Sequence, residues 1–269
     1  MKISYEFYPP KDMNYTKVVN EYSLIACHNP SFISITYGAM GGSQDRSIDL
    51  IKAFKNKTNV EIVAHLTLVG KSKSDLRTII ESFKTLGVNK IVALRGDSPE
   101  GKFHAHPDGF FNTADFVKFL TELNFEVYVS AYPEPHPDSE GFDFDLKLLE
   151  EKTFAGSNQC ISQFCFAEKD YKKLIDQISK RKINNELTAG IMPIYDINSL
   201  CKMAKRCGIH VPVEVVEQFS DDEIQNEQAA INICKKQIKD LQNMGIDKFH
   251  FYTLNQSSLL LKILDELSF

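Results

Sequence analysis

Glu6, Thr36, His65, Arg95 with Asp97, Tyr132, Gln163 and Tyr252 stand at the ends of successive short apolar runs, where a buried strand has no structural need for polar groups. Such placement points to one active site assembled from the whole chain. Glu6 is flanked by Tyr5, Phe7 and Tyr8 and followed by Pro9-Pro10, which must end regular structure because proline cannot continue a ladder. Desolvation in that setting raises a carboxyl pKa and suits it to general-acid work. The competing reading is a strand-end glutamate paired with a lysine or arginine.

Leu94-Arg95-Gly96-Asp97-Ser98-Pro99 places a cation, a flexible glycine and an anion at one run's end. The glycine permits close backbone approach to a ligand; an Arg–Asp salt bridge closing a turn is the alternative. Gly38-Ala39-Met40-Gly41-Gly42 can present backbone N–H groups to a phosphate. It matches neither the dinucleotide fingerprint nor the P-loop pattern, and Gly70-Lys71-Ser72 lacks the earlier glycine of a P-loop. His104 and His106 alternate within a Gly/Pro/Asp-rich loop and have no third ligand in register, so surface histidines are expected there. His65 and His136 sit at or just after run ends, as hydrogen-bond donors to a cofactor or as satisfied core histidines.

The elements that must position these groups are eight apolar runs, at 2–8, 31–37, 60–68, 90–95, 125–132, 159–166, 187–194 and 248–253. Between them lie helical periods: Leu76, Ile79, Ile80, Phe83; Phe116, Phe119, Leu120, Leu123; Tyr171, Leu174, Ile175, Ile178. Almost continuously apolar strands such as 91–94, alternating with helices, argue for parallel βα units. Eight even units in about 250 residues predict an α/β chain folded as a single (β/α)8 TIM barrel over 1–269, with reactive groups at the C-terminal strand ends. An open doubly wound sheet is the competitor. The long stretch 196–245 holds two helical patterns, near 197–206 and 226–243, so an extra helix is expected between strands 7 and 8. The charged segment 220–227 reads as a solvated loop or a helix start.

A hydrophobic fraction of 43% with 25% charged residues is ordinary for a globular protein with a sizeable core. The net charge of −5 and scattered basic residues argue against a nucleic-acid partner or a polybasic membrane patch. No signal-peptide h-region opens the chain, and no run approaches the ~18 apolar residues of a membrane span, so a cytosolic (cytoplasmic) protein is expected. The six cysteines form no C-x-x-C pair and are expected to be buried reduced thiols.

Taken together, Ser4-Tyr5-Glu6-Phe7-Tyr8-Pro9-Pro10, Thr36-Tyr37-Gly38-Ala39, His65-Leu66-Thr67, Ala93-Leu94-Arg95-Gly96-Asp97, Ala131-Tyr132-Pro133-Glu134 with His136-Pro137, Ser162-Gln163-Phe164 and Phe249-His250-Phe251-Tyr252-Thr253-Leu254-Asn255 closely resemble the methylenetetrahydrofolate reductases. The likeness runs from near Ile3 to the C-terminus. It implies a barrel that holds FAD without a Rossmann domain, and a ping-pong reaction. NADH or NADPH reduces the flavin and leaves, and methylenetetrahydrofolate then takes the hydride to become methyltetrahydrofolate.

By the same resemblance Glu6 is the general acid that protonates the departing nitrogen as the folate's imidazolidine ring opens. Asp97 is the carboxylate beside flavin and pterin, and Gln163 the amide that hydrogen-bonds the folate. FAD is expected on Thr36, Tyr37, Ala39, His65, Arg95, Gly96, Asp97, Asn112, Thr113, Tyr132, His136, Asp145 and Lys152, with Arg95 and Lys152 as counter-charges for the pyrophosphate. Tyr252 is expected near nicotinamide and folate.

Several positions depart from the pattern. Gln256 follows Tyr-Thr-Leu-Asn where the bacterial family often has arginine, removing a cation expected to meet the substrate's anionic end. Met203 stands where some relatives place a phenylalanine that stacks on the dinucleotide and the folate; methionine packs there without a π-face. Glu151 and Leu148 replace an arginine and an asparagine near FAD. A chain ending at Phe269, soon after the eighth unit, is expected to lack the C-terminal adenosylmethionine-sensing domain of the eukaryotic enzymes. The bacterial relatives suggest a homo-oligomer. A folate- or flavin-binding paralogue without turnover, and a metal-dependent barrel hydrolase resting on His104 and His106, are the rival readings. Retention of Glu6, Asp97 and Gln163 together favours the reductase.

Overall fold

A computed structural model describes residues 1–37, 44–96 and 103–267. Eight strands, β1 (Lys2–Phe7), β2 (Phe32–Ile35), β3 (Ile62–Thr67), β4 (Lys90–Leu94), β5 (Glu126–Ala131), β6 (Gln159–Ser162), β7 (Glu186–Ile191) and β8 (Lys248–Tyr252), pair in parallel and in chain order. β8 closes on β1 through pairs from Lys2↔Lys248 to Glu6↔Tyr252, which makes the sheet a (β/α)8 barrel. Closure removes both sheet edges and leaves every strand covered on two faces.

Helices α1 (Tyr15–Ile25), α2 (Gln44–Lys57), α3 (Lys73–Thr85), α4 (Thr113–Glu122), α5 (Phe142–Phe154), α6 (Glu168–Lys180), α7 (Ile197–Cys207), α8 (Val213–Val216), α9 (Glu223–Asn243) and α10 (Ser258–Glu266) connect and surround the strands. The apolar stripe Leu76, Ile79, Ile80 and Phe83 of α3 is buried throughout, as its spacing requires. Ser72 starts that helix with a capping box: Ser72 Oγ accepts from Asp75 N at 3.1 Å while Asp75 accepts from Ser72 N at 2.9 Å. Such a cap is worth about 1 kcal/mol.

Between β7 and β8, α9 packs against α6 and α10 and so completes the ring, which makes α7 the expected extra helix. A further single turn, α8, went unanticipated because four residues are too few to display a helical period. The segment 220–227 holds a helix start, with Asp222 accepting from the N–H groups of Ile224 and Gln225.

Alternation divides the interior in two. Outward-facing residues such as Ile3, Tyr5, Phe7, Phe249 and Phe251 join the large core between sheet and helices. Phe32, Val63, Val92, Tyr128 and Ile161 form a separate cluster inside the barrel. Toward its N-terminal end, Lys90 pairs with Glu126 at 3.2 Å, and Glu186 accepts from both Lys248 and Gln159. With that end filled, the opposite, C-terminal mouth is where a ligand can enter. Cys160, Cys165 and Cys234 are buried as expected, but Cys27 is exposed and Cys201 and Cys207 are half-buried. No helix among the described residues is long and apolar enough to cross a membrane.

Candidate active site

Glu6 lies at the mouth in register with Ser34 of β2 on one side and Tyr252 of β8 on the other. Burial pushes its carboxyl up to about 8. The nearest titratable neighbour is His65, whose Nε2 lies 3.7 Å from Glu6 Oε2, and burial pushes that imidazole down to about 4. At neutral pH the two therefore meet as a neutral acid and a neutral base rather than as an ion pair. A charged imidazolium at that distance would pull the carboxyl down.

Below them His250, also buried, is bonded on both ring nitrogens, Nδ1 to Ser4 Oγ at 2.7 Å and Nε2 to Ser34 Oγ at 3.1 Å. Desolvation, with the nearby His65 as a smaller contribution, pushes it down to about 3. Asn255 clamps the loop after β8 to the loop after β1, accepting from Tyr8 N at 3.0 Å and donating to Tyr8 O at 2.8 Å.

Tyr252 donates to the Ser162 carbonyl at 2.8 Å, and its ring stands edge-on to His250 and Phe164. Burial, reinforced by the charges of Glu6 and its tyrosine neighbours, holds its hydroxyl well above the ordinary tyrosine range. Gln163, half-buried just past β6, accepts from Phe164 N at 3.0 Å, and its own N–H continues the sheet to Ala131 O.

Around β2 and β3, Thr36 Oγ1, Tyr37 Oη and His65 Nε2 are buried with no hydrogen-bond partner among the described residues. An orphaned buried polar atom costs about 1–3 kcal/mol. Three at one rim are what a polar ligand with donors and acceptors would satisfy, so the residues present fit a flavin there. Lys71 lies 5.4 Å over the Tyr37 ring, and burial lowers its pKa.

The remaining expected flavin residues lie toward α4 and α5. Arg95 ion-pairs with Asp138 at 2.5 Å, and its guanidinium lies 5.7 Å over the Phe103 ring. Gly96 adopts φ +82°, and a Cβ there would meet Val69 Cγ1 at 2.6 Å and Thr67 Cβ at 2.8 Å, so its bareness serves strand-end packing. Asn112 is the N-cap of α4, its side chain bonded in both directions to Asp115, and Thr113 is buried as the first residue of that helix. Tyr132 and His136 stack edge to face at 5.2 Å. Asp145 accepts from His136 N and Ser139 Oγ. Lys152 is buried, donates from Nζ to Ser130 O at 2.8 Å, and is pushed down to about 8 by desolvation.

The structure thus brings Glu6, Thr36, Tyr37, His65, Tyr132, Gln163 and Tyr252 to one mouth and gathers Asn112, Thr113, Asp145 and Lys152 around the adjacent helices. Met203 packs on α7 against the outer core, and exposed Gln256 is tied to the insertion by Tyr195, which donates to its carbonyl. Ala39, Asp97 and the glycine-rich loop lie outside the described residues. His104 is exposed, and the His106 ring accepts from Asp108 N. Sequence reasoning missed Ser162, Tyr171, Gly190 and Asp138. Only Gly190 carries a signal, an isolated glycine inside an apolar strand.

The family model of methylenetetrahydrofolate reductase matches residues 1–268. The 5,10-methylenetetrahydrofolate reductase of Escherichia coli K12 is 33% identical over 264 residues, covering 96% of this chain and 88% of the relative. That of Buchnera aphidicola subsp. Schizaphis graminum is 33% identical over 268 residues, covering 98% and 90%. Among solved structures, a Clostridium thermocellum protein that binds two copies of 5-methyl-5,6,7,8-tetrahydrofolic acid superposes with TM-score 0.64 at 12% identity, covering 99% of this chain and 94% of the other; at that identity the likeness speaks for the fold alone.

Proposed function

The chain belongs to the methylenetetrahydrofolate reductase family, and on that premise we propose that it reduces 5,10-methylenetetrahydrofolate to 5-methyltetrahydrofolate with NADH or NADPH, through FAD, in a ping-pong sequence. The observation that carries the reading is Glu6, a half-buried carboxyl at the C-terminal mouth of the barrel that desolvation raises to about 8. A protein that only binds folate has no use for an acid kept protonated at neutral pH.

Thr36, Tyr37 and His65 would hold the flavin at β2 and β3, with Arg95, Gly96, Tyr132 and His136 extending its site toward α4 and α5, where Asn112, Thr113, Asp145 and Lys152 lie. A flavin held there would supply hydride chemistry, drawing on the nicotinamide cofactor. The protein's part is to open the folate's five-membered ring. The Glu6 carboxyl gives its proton to the departing nitrogen, that C–N bond breaks, and the bridging carbon becomes an iminium that accepts hydride.

Glu6 is left as a carboxylate, and its partly exposed side chain can recover a proton from solvent. Neutral His65 does not compete, because it offers no charge that would hold Glu6 ionised. Gln163 hydrogen-bonds the folate at the end of β6, and Asp97 supplies the second carboxylate beside flavin and pterin.

The absorption spectrum of the purified protein tests this. A flavin spectrum that bleaches anaerobically with NADH or NADPH and recovers on adding methylenetetrahydrofolate is expected. A colourless protein that cannot be reconstituted with FAD overturns the reading.

A further inference from the structure

The ladder between β6 and β7 ends at Ile161↔Thr188, and above it the seam is closed by side chains. Gly190 N–H donates to Ser162 Oγ at 2.9 Å, the Ser162 and Tyr171 hydroxyls share a bond of 2.9 Å, and Tyr171 Oη donates to Gly190 O at 2.8 Å. Ser162 and Tyr171 are fully buried. Tyr252 reaches from β8 across β7 to this cluster and gives its hydroxyl proton to Ser162 O.

It can do so because residue 190 has no side chain. A Cβ there would stand 2.8 Å from Tyr252 Cε2, 3.1 Å from Tyr252 Oη and 2.2 Å from Ser162 O. The Gly190 backbone is outside the left-handed region, so the glycine is required by space and not by conformation.

We propose that Gly190 is a positioning residue: it seats Tyr252 against the β6–β7 wall, so that Tyr252 meets the planar heterocycle of the folate as a ring and not as a hydrogen-bond donor. The inference rests on the reading of this mouth as the folate site. The one donor hydrogen of Tyr252 is spent on Ser162 O, which leaves the ring as the part a ligand can use, and aromatic rings gain from offset or edge contact with a flat partner. Any side chain at 190 forces that ring inward. Glu6 is the register neighbour of Tyr252 on β1, so the ring that Gly190 seats stands beside the acid.

The test uses the flavin-loaded protein, with equilibrium titration by 5-methyltetrahydrofolate beside steady-state kinetics. Gly190→Ala is expected to raise the folate Kd and KM at least tenfold while kcat at saturation falls less than threefold. Tyr252→Leu is expected to raise Kd at least tenfold and Tyr252→Phe less than threefold, because phenylalanine keeps the ring.

A Tyr252→Phe loss equal to that of Tyr252→Leu, or an unchanged Kd in Gly190→Ala, overturns the proposal. Should Gly190→Ala fail to fold, the Phe and Leu pair decides. Wild-type protein that binds no folate ends the functional reading itself, a result distinct from either.

Discussion

On the β6–β8 side of the mouth, Ser162, Tyr171, Gly190 and Tyr252 satisfy one another, whereas on the β1–β3 side Thr36, Tyr37 and His65 are buried with polar atoms that find no partner among the described residues. Both arcs are made from the same kinds of strand end. The first is a closed network in which each bond fixes the next, so it is rigid without a ligand. The second holds desolvated groups at a cost that only a partner can offset. Glu6 lies between them, next to Tyr252 on one flank and His65 on the other. The contrast separates an arc that can offer a ligand a fixed surface from one that can offer it unspent hydrogen-bonding groups.

The largest expected effect strikes the group between the arcs. Glu6→Gln should keep flavin reduction by NADH or NADPH and slow the folate half-reaction by about 10²–10⁴, the usual worth of a positioned acid, measured by stopped-flow absorbance. The wild-type folate half-reaction should fall about tenfold per pH unit above about 8, as the carboxyl ionises.

The same raised pKa has a stability consequence. Between the ordinary value of 4.5 and about 8 the native state binds more protons than the unfolded chain, so stability falls as pH rises through that window. Glu6→Gln should abolish the slope and melt above wild type at pH 9; a parallel slope in the variant would mean Glu6 is not the group.

The next pair sets one arc directly against the other. Ser162→Ala strands the Gly190 N–H and should cost about 1–3 kcal/mol in urea unfolding. Thr36→Val removes a hydroxyl that has no partner among the described residues and should leave unfolding within about 0.5 kcal/mol of wild type, while weakening FAD retention about three- to tenfold. Equal costs at the two positions would dissolve the comparison.

The smallest effect belongs to the loop after β8. Gln256→Arg restores a cation at an exposed position, and exposed ion pairs are worth about 0–1 kcal/mol, so the folate or nucleotide KM should drop by no more than about fivefold.

Most of the barrel could be read from the chain because parallel strands covered on both faces are apolar throughout, and because amphipathic helices repeat every 3.6 residues. Every expected run contains a strand, yet the run 159–166 keeps only Gln159–Ser162, since Ser162 takes the Gly190 N–H with its side chain where a ladder bond would have continued. The strand-end acids and amides were legible as types. Their partners were not. Among the described residues Arg95 meets Asp138, a carboxylate from a different loop, 43 residues on. Lys152, expected as a counter-charge for the pyrophosphate, is buried on the inner face of α5 and donates to Ser130 O of β5, which spacing alone does not reveal.

The sequence by itself determined the eight-unit plan, written in local spacing and residue type, and it carried the motifs that resemble the family and the carboxyl of Glu6 at a strand end. Only the tertiary structure decided that His65 stands 3.7 Å from Glu6, that His250 is fixed by serines on two other strands, and that Gly190 is bare to admit a tyrosine from the next strand. These are facts of register and closure. Residues far apart in the chain become neighbours only when the strands pair in register and the barrel closes, and the desolvation of the mouth follows from that closure.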